Sequence, residues 1–478
     1  MKGKIILTSI LILALGAILR FSNLNSLPVF ADESIYVRWS QVMSAEPTLR
    51  FLPLSDGKQP LFMWVLMPVL KIISDPLIAG RILSACFDLG TVIAIGFLAY
   101  ILFKKVSVGL LAALLWATAP YAVFFGRMAL VDSALTFFIA TGFLFAYLSI
   151  SRLRWDFAMV SGLTFGLAWL TKSPAMFVLL MLPALIIFSP KTNLIKPLFL
   201  FANIFILAFG LYQILRLGPE FHMIAIRNRD YILDIHEVLK HPFDPLIPHL
   251  RDSLAFFFLY LNPVIFVAIL ANIKNIFNKK ILVVFLFLLA PIFVQSFIAK
   301  TLTARYLLYV VPFAVLLAAK FLSQINYRIC FFAILINLLL SYQLIYFPTH
   351  FAMPRIERSG YLEEWTAGYG IREVSAYLSK IDSPVVVGSE GFFGTPFSAL
   401  EMYLNHKPNI RIVGVGVWIS SVSDKLTNAT AENDVYLVVN SSRLHVDYNT
   451  LNLKLIAKYP KAVSPKGSQE SLLFFKVL

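Results

Sequence analysis

Residues 5–40 read IILTSILILALGAILRFSNLNSLPVFADESIYVRWS. As helix, the run 5–21 is long enough to cross a hydrocarbon layer of roughly 30 Å. A short polar stretch follows, then two adjacent carboxylates, Asp32 and Glu33. The MKGK ahead of the run gives it the look of a signal peptide. No small-residue cleavage site comes before Arg20, however, and further apolar runs follow, so it reads as a retained first span.

Outward from this stretch the same texture repeats. The 478-residue chain is 59% hydrophobic and 14% charged, too apolar for a soluble protein of its size. Hydropathy predicts a polytopic α-helical membrane protein of about eleven spans: 5–21, 77–102, 107–125, 131–150, 157–170, 174–188, 195–215, 252–272, 281–299, 305–322 and 328–347. The shorter run 60–73, with Pro60 and Pro68, reads as an interfacial or re-entrant helix. Past residue 348 the pattern changes. Short β-branched runs at 385–387, 410–415, 435–439, 451–456 and 472–476 alternate with amphipathic stretches at 371–380 and 397–405, which predicts an α/β domain. The expected division is therefore a membrane domain, 1–347, and an extracytoplasmic α/β domain, 348–478. Cys86 and Cys330 fall inside predicted spans and imply no disulfide framework.

The net charge of +15 is unevenly placed. Residues 348–478 hold 13 basic and 12 acidic side chains, so a net +14 belongs to the membrane part. There it sets orientation and meets anionic lipid, and it gives no support to nucleic-acid binding. With the N-terminus cytoplasmic, every inner connection is basic: Lys104-Lys105, Arg152 and Arg154, Lys191 and Lys196, Lys274 with Lys279-Lys280, and Lys320 with Arg328. The outer face then receives 22–59, the turn from Arg127 to Asp132, Thr171-Lys172, 216–251, the turn from Lys300 to Arg305, and everything beyond 348. This predicts a multi-pass plasma-membrane protein with its C-terminal domain outside.

Against that frame some residues stand out. Asp32 and Glu33 lie at the outer surface, where a carboxylate can take a proton from an attacking hydroxyl; a solvated loop charge is the plain alternative. Asp132 faces the same side, with Arg127 five residues earlier as an ordinary ion-pair partner. Lys172, Lys300 and Arg305 sit in short outer turns where the orientation rule favours neutral residues, and Lys58 precedes the interfacial stretch. An anionic ligand at the lipid boundary explains such cations, Arg305 offering a bidentate fork to phosphate; snorkelling to outer headgroups is the rival explanation. Asp88 falls in mid-span, seven residues from Arg81 on roughly one helix face, and reads as a buried structural partner or part of a proton path. His222, His236, His241 and His249 share one outer loop, but their spacing matches no metal-ligand pattern closely.

Several segments carry a resemblance: ADESIYVRWS (31–40), GKQPLFMW (57–64), AGRILSA (79–85), GRMALVDSALTFF (126–138), LTKSP (170–174), ARYLLYVVP (304–312) and GYLEEWTAGYGIREVSAYL (360–378). Together, in this order, the sequence resembles the dolichyl-phosphate-mannose-protein mannosyltransferase superfamily of GT-C glycosyltransferases, which includes the bacterial transferases that add aminoarabinose to lipid A. The resemblance implies transfer of a sugar, mannose or another hexose or pentose, from a polyprenyl-phosphate carrier to a protein, lipid or polysaccharide acceptor on the outer face. It implies that Asp32 is the base activating the acceptor hydroxyl and that Glu33 supports it. Asp132 matches the family's second outer acidic position. Lys58 and Arg305 fall where relatives contact the lipid phosphate, and Lys172 joins them by proximity. Some relatives place an acidic metal ligand immediately before the lysine, whereas Gly57 stands there in this chain; a divalent metal cofactor is thus left open.

Two other classes compete. A secondary transporter or lipid flippase is expected to show internal repeats and helices broken near mid-bilayer. An assembly scaffold has no need of acids and cations gathered on one face.

Overall fold

The computed structural model describes residues 2–190 and 194–478. Lys191, one of the basic residues of the predicted inner connections, lies outside the described residues. The chain divides into two compact units, one comprising Met1–Leu24, Thr48–Val65 and Arg81–Pro354, the other Asn25–Pro47, Leu66–Gly80 and Arg355–Leu478.

The first unit is helical because hydrocarbon offers no partner to a backbone N–H or C=O, so each segment satisfies its own. Among the described residues, seven helices are long and apolar enough to cross a membrane: Lys2–Phe21, Pro76–Phe103, Val131–Arg152, Ile195–Leu217, Lys279–Ile298, Ala304–Leu322 and Tyr327–Tyr346. An eighth is the pair Val106–Thr118 and Pro120–Gly126, bent by 56°. The other three expected spans, 157–170, 174–188 and 252–272, fall on shorter or broken helices, with a proline at or near each break. Pro120 follows an extended Ala119 and bends its span. Asn262, at φ 63°, splits the expected 252–272 span and caps the helix Pro263–Leu270 by accepting from the Ile265 N–H at 3.1 Å. The helix Trp155–Thr171 ends at an extended Lys172, and the next, Ala175–Met181, gives way to a tight 3-10 turn at Leu182-Pro183.

Close packing holds these helices where lipid-facing hydrophobicity cannot. A Cβ on Gly109 would come within 2.8 Å of the Gly96 carbonyl oxygen, so that crossing depends on the missing side chain. Tyr121, Phe124, Phe125 and Tyr260 form a buried aromatic cluster, with Tyr121 and Tyr260 centroids 5.2 Å apart. Asp88 pairs with Arg20 at 2.5 Å, not with Arg81, and both members are sealed from solvent. Arg81 instead reaches the Leu24 carbonyl.

The second unit holds a five-stranded sheet. Its strands, counted with a two-residue ribbon, are β1 (Val29–Phe30), β2 (Ala367–Gly368), β3 (Val385–Ser389), β4 (Ile410–Gly414), β5 (Asp434–Asn440), β6 (Leu453–Pro460) and β7 (Ser471–Val477). The ribbon pairs β1 with β2, Val29 facing Gly368. The sheet order is β4-β3-β5-β7-β6, with β4, β3 and β5 parallel and β7 antiparallel to both β5 and β6. The strands fall on the β-branched runs noted in the sequence. Helices Ile371–Leu378 and Phe397–Leu404 occupy the amphipathic stretches, and Leu426, Val435, Leu437, Val439 and Phe475 are among the residues of one apolar core. The helix Ala31–Ala45 belongs to this unit, where Arg38 donates to Glu401 (3.3 Å) and Asn405 (2.6 Å).

Candidate active site

In the first unit, helix ends and turns gather four of the six predicted site residues. Asp132 stands in the first turn of Val131–Arg152, where a negative charge favours the N-terminal end of the helix dipole. It is almost wholly buried, yet its partner is not Arg127. Arg127 donates instead to the carbonyls of Leu19, Arg20, Ser22 and Asn23, knitting the end of the first helix. Asp132 accepts from Lys172 Nζ at 2.6 Å. The break at Lys172 frees that side chain from helical packing, and it stays 22% exposed against 3% for the aspartate.

Tyr306 joins this pair to Arg305. Lys172 Nζ lies 4.4 Å from the tyrosine ring centroid and the Arg305 guanidinium 5.2 Å, so one π face system serves two cations. The 3-10 turn Ala304–Val310 carries both residues, and Tyr121 OH fixes its start by donating to the Ala304 carbonyl at 2.7 Å. Lys58 is linked through its neighbour: Gln59 Nε2 donates to Ser173 Oγ at 2.6 Å, next to Lys172. Lys58 Nζ itself donates to Tyr231 OH at 2.9 Å. Lys300, also noted among the outer cations, donates from Nζ to the Arg229 carbonyl at 2.7 Å.

Gly57 has a steric reason to be glycine. It takes φ +69°, and a Cβ would fall 2.7 Å from the Arg227 Cβ and 3.0 Å from the Met223 carbonyl oxygen. An acidic side chain does not fit there. The neighbouring acid, Asp56, is held by Arg227 through two N–H groups, at 2.6 and 2.9 Å. Among the described residues no group of three or more His, Cys, Asp or Glu side chains comes together as a metal site. Of the loop histidines, His249 meets the Ser296 carbonyl at 3.1 Å.

Asp32 and Glu33 belong to the second unit, in the first turn of Ala31–Ala45. Glu33 is buried and accepts from the Phe30 backbone N–H at 3.0 Å, capping its own helix. Asp32, one position earlier, is half-buried.

Sequence reasoning missed Tyr306, Tyr231, Gln59, Ser173 and Arg227. Tyr306 had the best signal, an aromatic beside Arg305 in a turn already singled out for its charge. Chemically, the cluster offers ammonium and guanidinium donors at a helix break, backed by a buried carboxylate, which suits a phosphate oxygen.

Residues 57–212 match the family model described as dolichyl-phosphate-mannose-protein mannosyltransferase, a segment that includes Lys58, Asp132 and Lys172. No curated protein matches the chain in sequence. Among solved structures, ArnT from Cupriavidus metallidurans bound to undecaprenyl phosphate superposes with a TM-score of 0.59 at 14% identity, covering 98% of both chains. AglB, an archaeal oligosaccharyltransferase from Archaeoglobus fulgidus in complex with an inhibitory peptide and a dolichol-phosphate, gives 0.50 at 12% identity, covering 98% of this chain and 74% of that one. The fold is that of membrane glycosyltransferases of the GT-C type, and the family match falls on residues 57–212 of it.

Proposed function

We propose that the chain transfers a sugar from a polyprenyl-phosphate carrier to an acceptor hydroxyl on the extracytoplasmic side of the plasma membrane. The observation that carries this reading is the cluster at Lys172, where two cations share the Tyr306 ring and one is braced by buried Asp132. An ammonium has three N–H donors and Asp132 takes one, which leaves Lys172 equipped for an anionic guest. The sugar is mannose or another hexose or pentose, and the acceptor a protein, lipid or polysaccharide.

The reaction is a single displacement. Asp32 takes the acceptor's hydroxyl proton as the acceptor oxygen attacks the anomeric carbon from the face opposite the phosphate. The C–O bond to phosphate breaks, its electron pair leaves on polyprenyl phosphate, and the configuration inverts. Lys58, Lys172 and Arg305 stabilise the charge gathering on the leaving group. Glu33 holds the helix turn that presents Asp32, and Asp132 positions Lys172.

The test is transfer by the reconstituted chain from a panel of polyprenyl-phosphate sugars, read by mass spectrometry of membrane products. Asp32→Asn is expected to cut transfer by at least about 100-fold with membrane insertion unchanged, the scale of a lost general base. Near-normal transfer by that variant removes Asp32 from the reaction.

A further inference from the structure

The second unit contains a cleft of about 640 Å³, the size range of small-molecule sites. Its walls come from separate stretches: the helix Ala31–Ala45 (Gln41), the turn at 71–76 (Lys71, Asp75), the helix Ile371–Leu378 (Arg372, Ser375) and the turn after Phe397–Leu404 (His406). Arg372 and Asp75 pair at 2.9 Å, tying two of these walls. Asp75 also accepts from the Leu77 and Ile78 N–H groups, both at 3.1 Å, and so caps the membrane-length helix Pro76–Phe103. One wall of the cleft is therefore the turn that leads directly into a span.

Two lining residues hold buried polar atoms with no hydrogen-bond partner among the described residues: Gln41 Oε1 and Ser375 Oγ. Ser375 is only 5% exposed, and the Gln41 amide spends its Nε2 on the Met402 carbonyl at 3.0 Å. Buried amide and hydroxyl oxygens left this way cost desolvation that nothing in the protein recovers. A cleft walled by an amide residue, a hydroxyl residue and a fixed ion pair suits a ligand dense in hydroxyls. Lys71 and Arg372 against Asp75 leave the lining cationic, which favours a ligand carrying an acid group.

We infer that this cleft is a subsite for an acidic saccharide, the glycan head of the acceptor. The inference rests on the transferase reading above, since a donor and an acceptor need separate holds, and the cleft's acid-favouring lining adds a recognition element that the phosphate cluster does not supply.

The test uses the full chain in nanodiscs, with a uronic-acid-containing disaccharide and a neutral disaccharide of the same size as probes, read by saturation-transfer NMR. The uronate probe should bind, and the neutral one at least about ten-fold more weakly, the scale of one lost charge-assisted hydrogen bond. Ala376→Trp, which fills the cleft and removes no polar partner, should abolish binding with the thermal midpoint unchanged. Ser375→Ala should weaken it several-fold, and Lys71→Gln should erase the acid preference. In turnover, Ala376→Trp should raise the acceptor KM and leave the donor KM and the transfer of sugar to water unchanged. No binding by the wild type, equal binding of the two probes, or unaltered binding by Ala376→Trp overturns the inference. Binding as expected with no sugar transferred from any donor keeps the subsite and overturns the transferase reading instead.

Discussion

Arg20–Asp88 and Lys172–Asp132 are two cation–aspartate pairs of one helical unit, at nearly the same distance, 2.5 and 2.6 Å. In the first, both side chains are fully buried, and every further contact is structural. Arg20 also donates to the Ala117 and Trp116 carbonyls, and Trp116 Nε1 donates to Asp88 at 3.1 Å. In the second, only the acid is sealed. The lysine stays half-open beside Tyr306 and Arg305. A buried ion pair is weak evidence of function by itself; an accessible cation braced by a buried acid is stronger. The sealed pair locks helices, whereas the open one is poised to bind.

That contrast can be broken by experiment. Removing one partner of the sealed pair strands the other charge, so Arg20→Met should cost about 3–5 kcal/mol. A denaturation midpoint in mild detergent reads this, and transfer per folded molecule should change only a few-fold. Lys172→Ala should strike transfer itself, about 100- to 1,000-fold slower per folded molecule, the scale of a lost transition-state donor, on top of the stability lost by leaving buried Asp132 unpaired. If both variants slow transfer per folded molecule alike, the distinction collapses.

A third buried set, in the other unit, extends the comparison to pH. Asn440 bridges Glu390 and Lys461, donating to both Glu390 oxygens and accepting from Lys461 Nζ at 2.6 Å. Burial pushes Glu390 up to about 6 from the ordinary 4.5, against the Asn440 hydrogen bonds, and pushes Lys461 down to about 8. A carboxyl raised on folding contributes stability that is full below pH 4.5 and is lost as pH rises through 6. A lysine lowered on folding contributes stability present above its unfolded value and lost as pH falls through 8. Stability should thus decline by about 2 kcal/mol as Glu390 ionises between pH 4.5 and 6, and recover above 8. Glu390→Gln should flatten the acid-side slope whatever its effect on the midpoint itself. Arg305→Lys keeps the charge and loses the fork, and should weaken donor binding about ten-fold or less, seen as a higher donor KM.

Much of this was legible in the sequence, for reasons that can be named. Apolar runs and β-branched runs mark their elements because membrane and sheet each impose one local rule. Lys58, Lys172 and Arg305 stood out because topology gives no reason for charges in outer turns. Partners were not legible. Asp88 shares a helix face with Arg81, and Arg127 is near Asp132 in sequence, yet the observed partners are Arg20 and Lys172, at 68 and 40 residues' separation. Span count suffered likewise, since hydropathy averages across Pro120, Asn262 and Pro183 while the backbone cannot. Tyr306 and Tyr231 were invisible for another reason: with 14% of the chain aromatic, no single ring marks itself.

The Arg20 contacts also bear on how the chain is made. Its acidic partner and two of its three acceptor carbonyls, those of Trp116 and Ala117, lie in helices that leave the ribosome later, the third being Gly16 of its own helix. A bare guanidinium is expensive in hydrocarbon, so the first helix must enter with that end at the headgroups and wait. It seats fully only when the helix Val106–Thr118 has followed. Assembly of this unit therefore has a built-in order, with Arg20 gaining its acid and its two distant carbonyls only after the helices that carry them have been made.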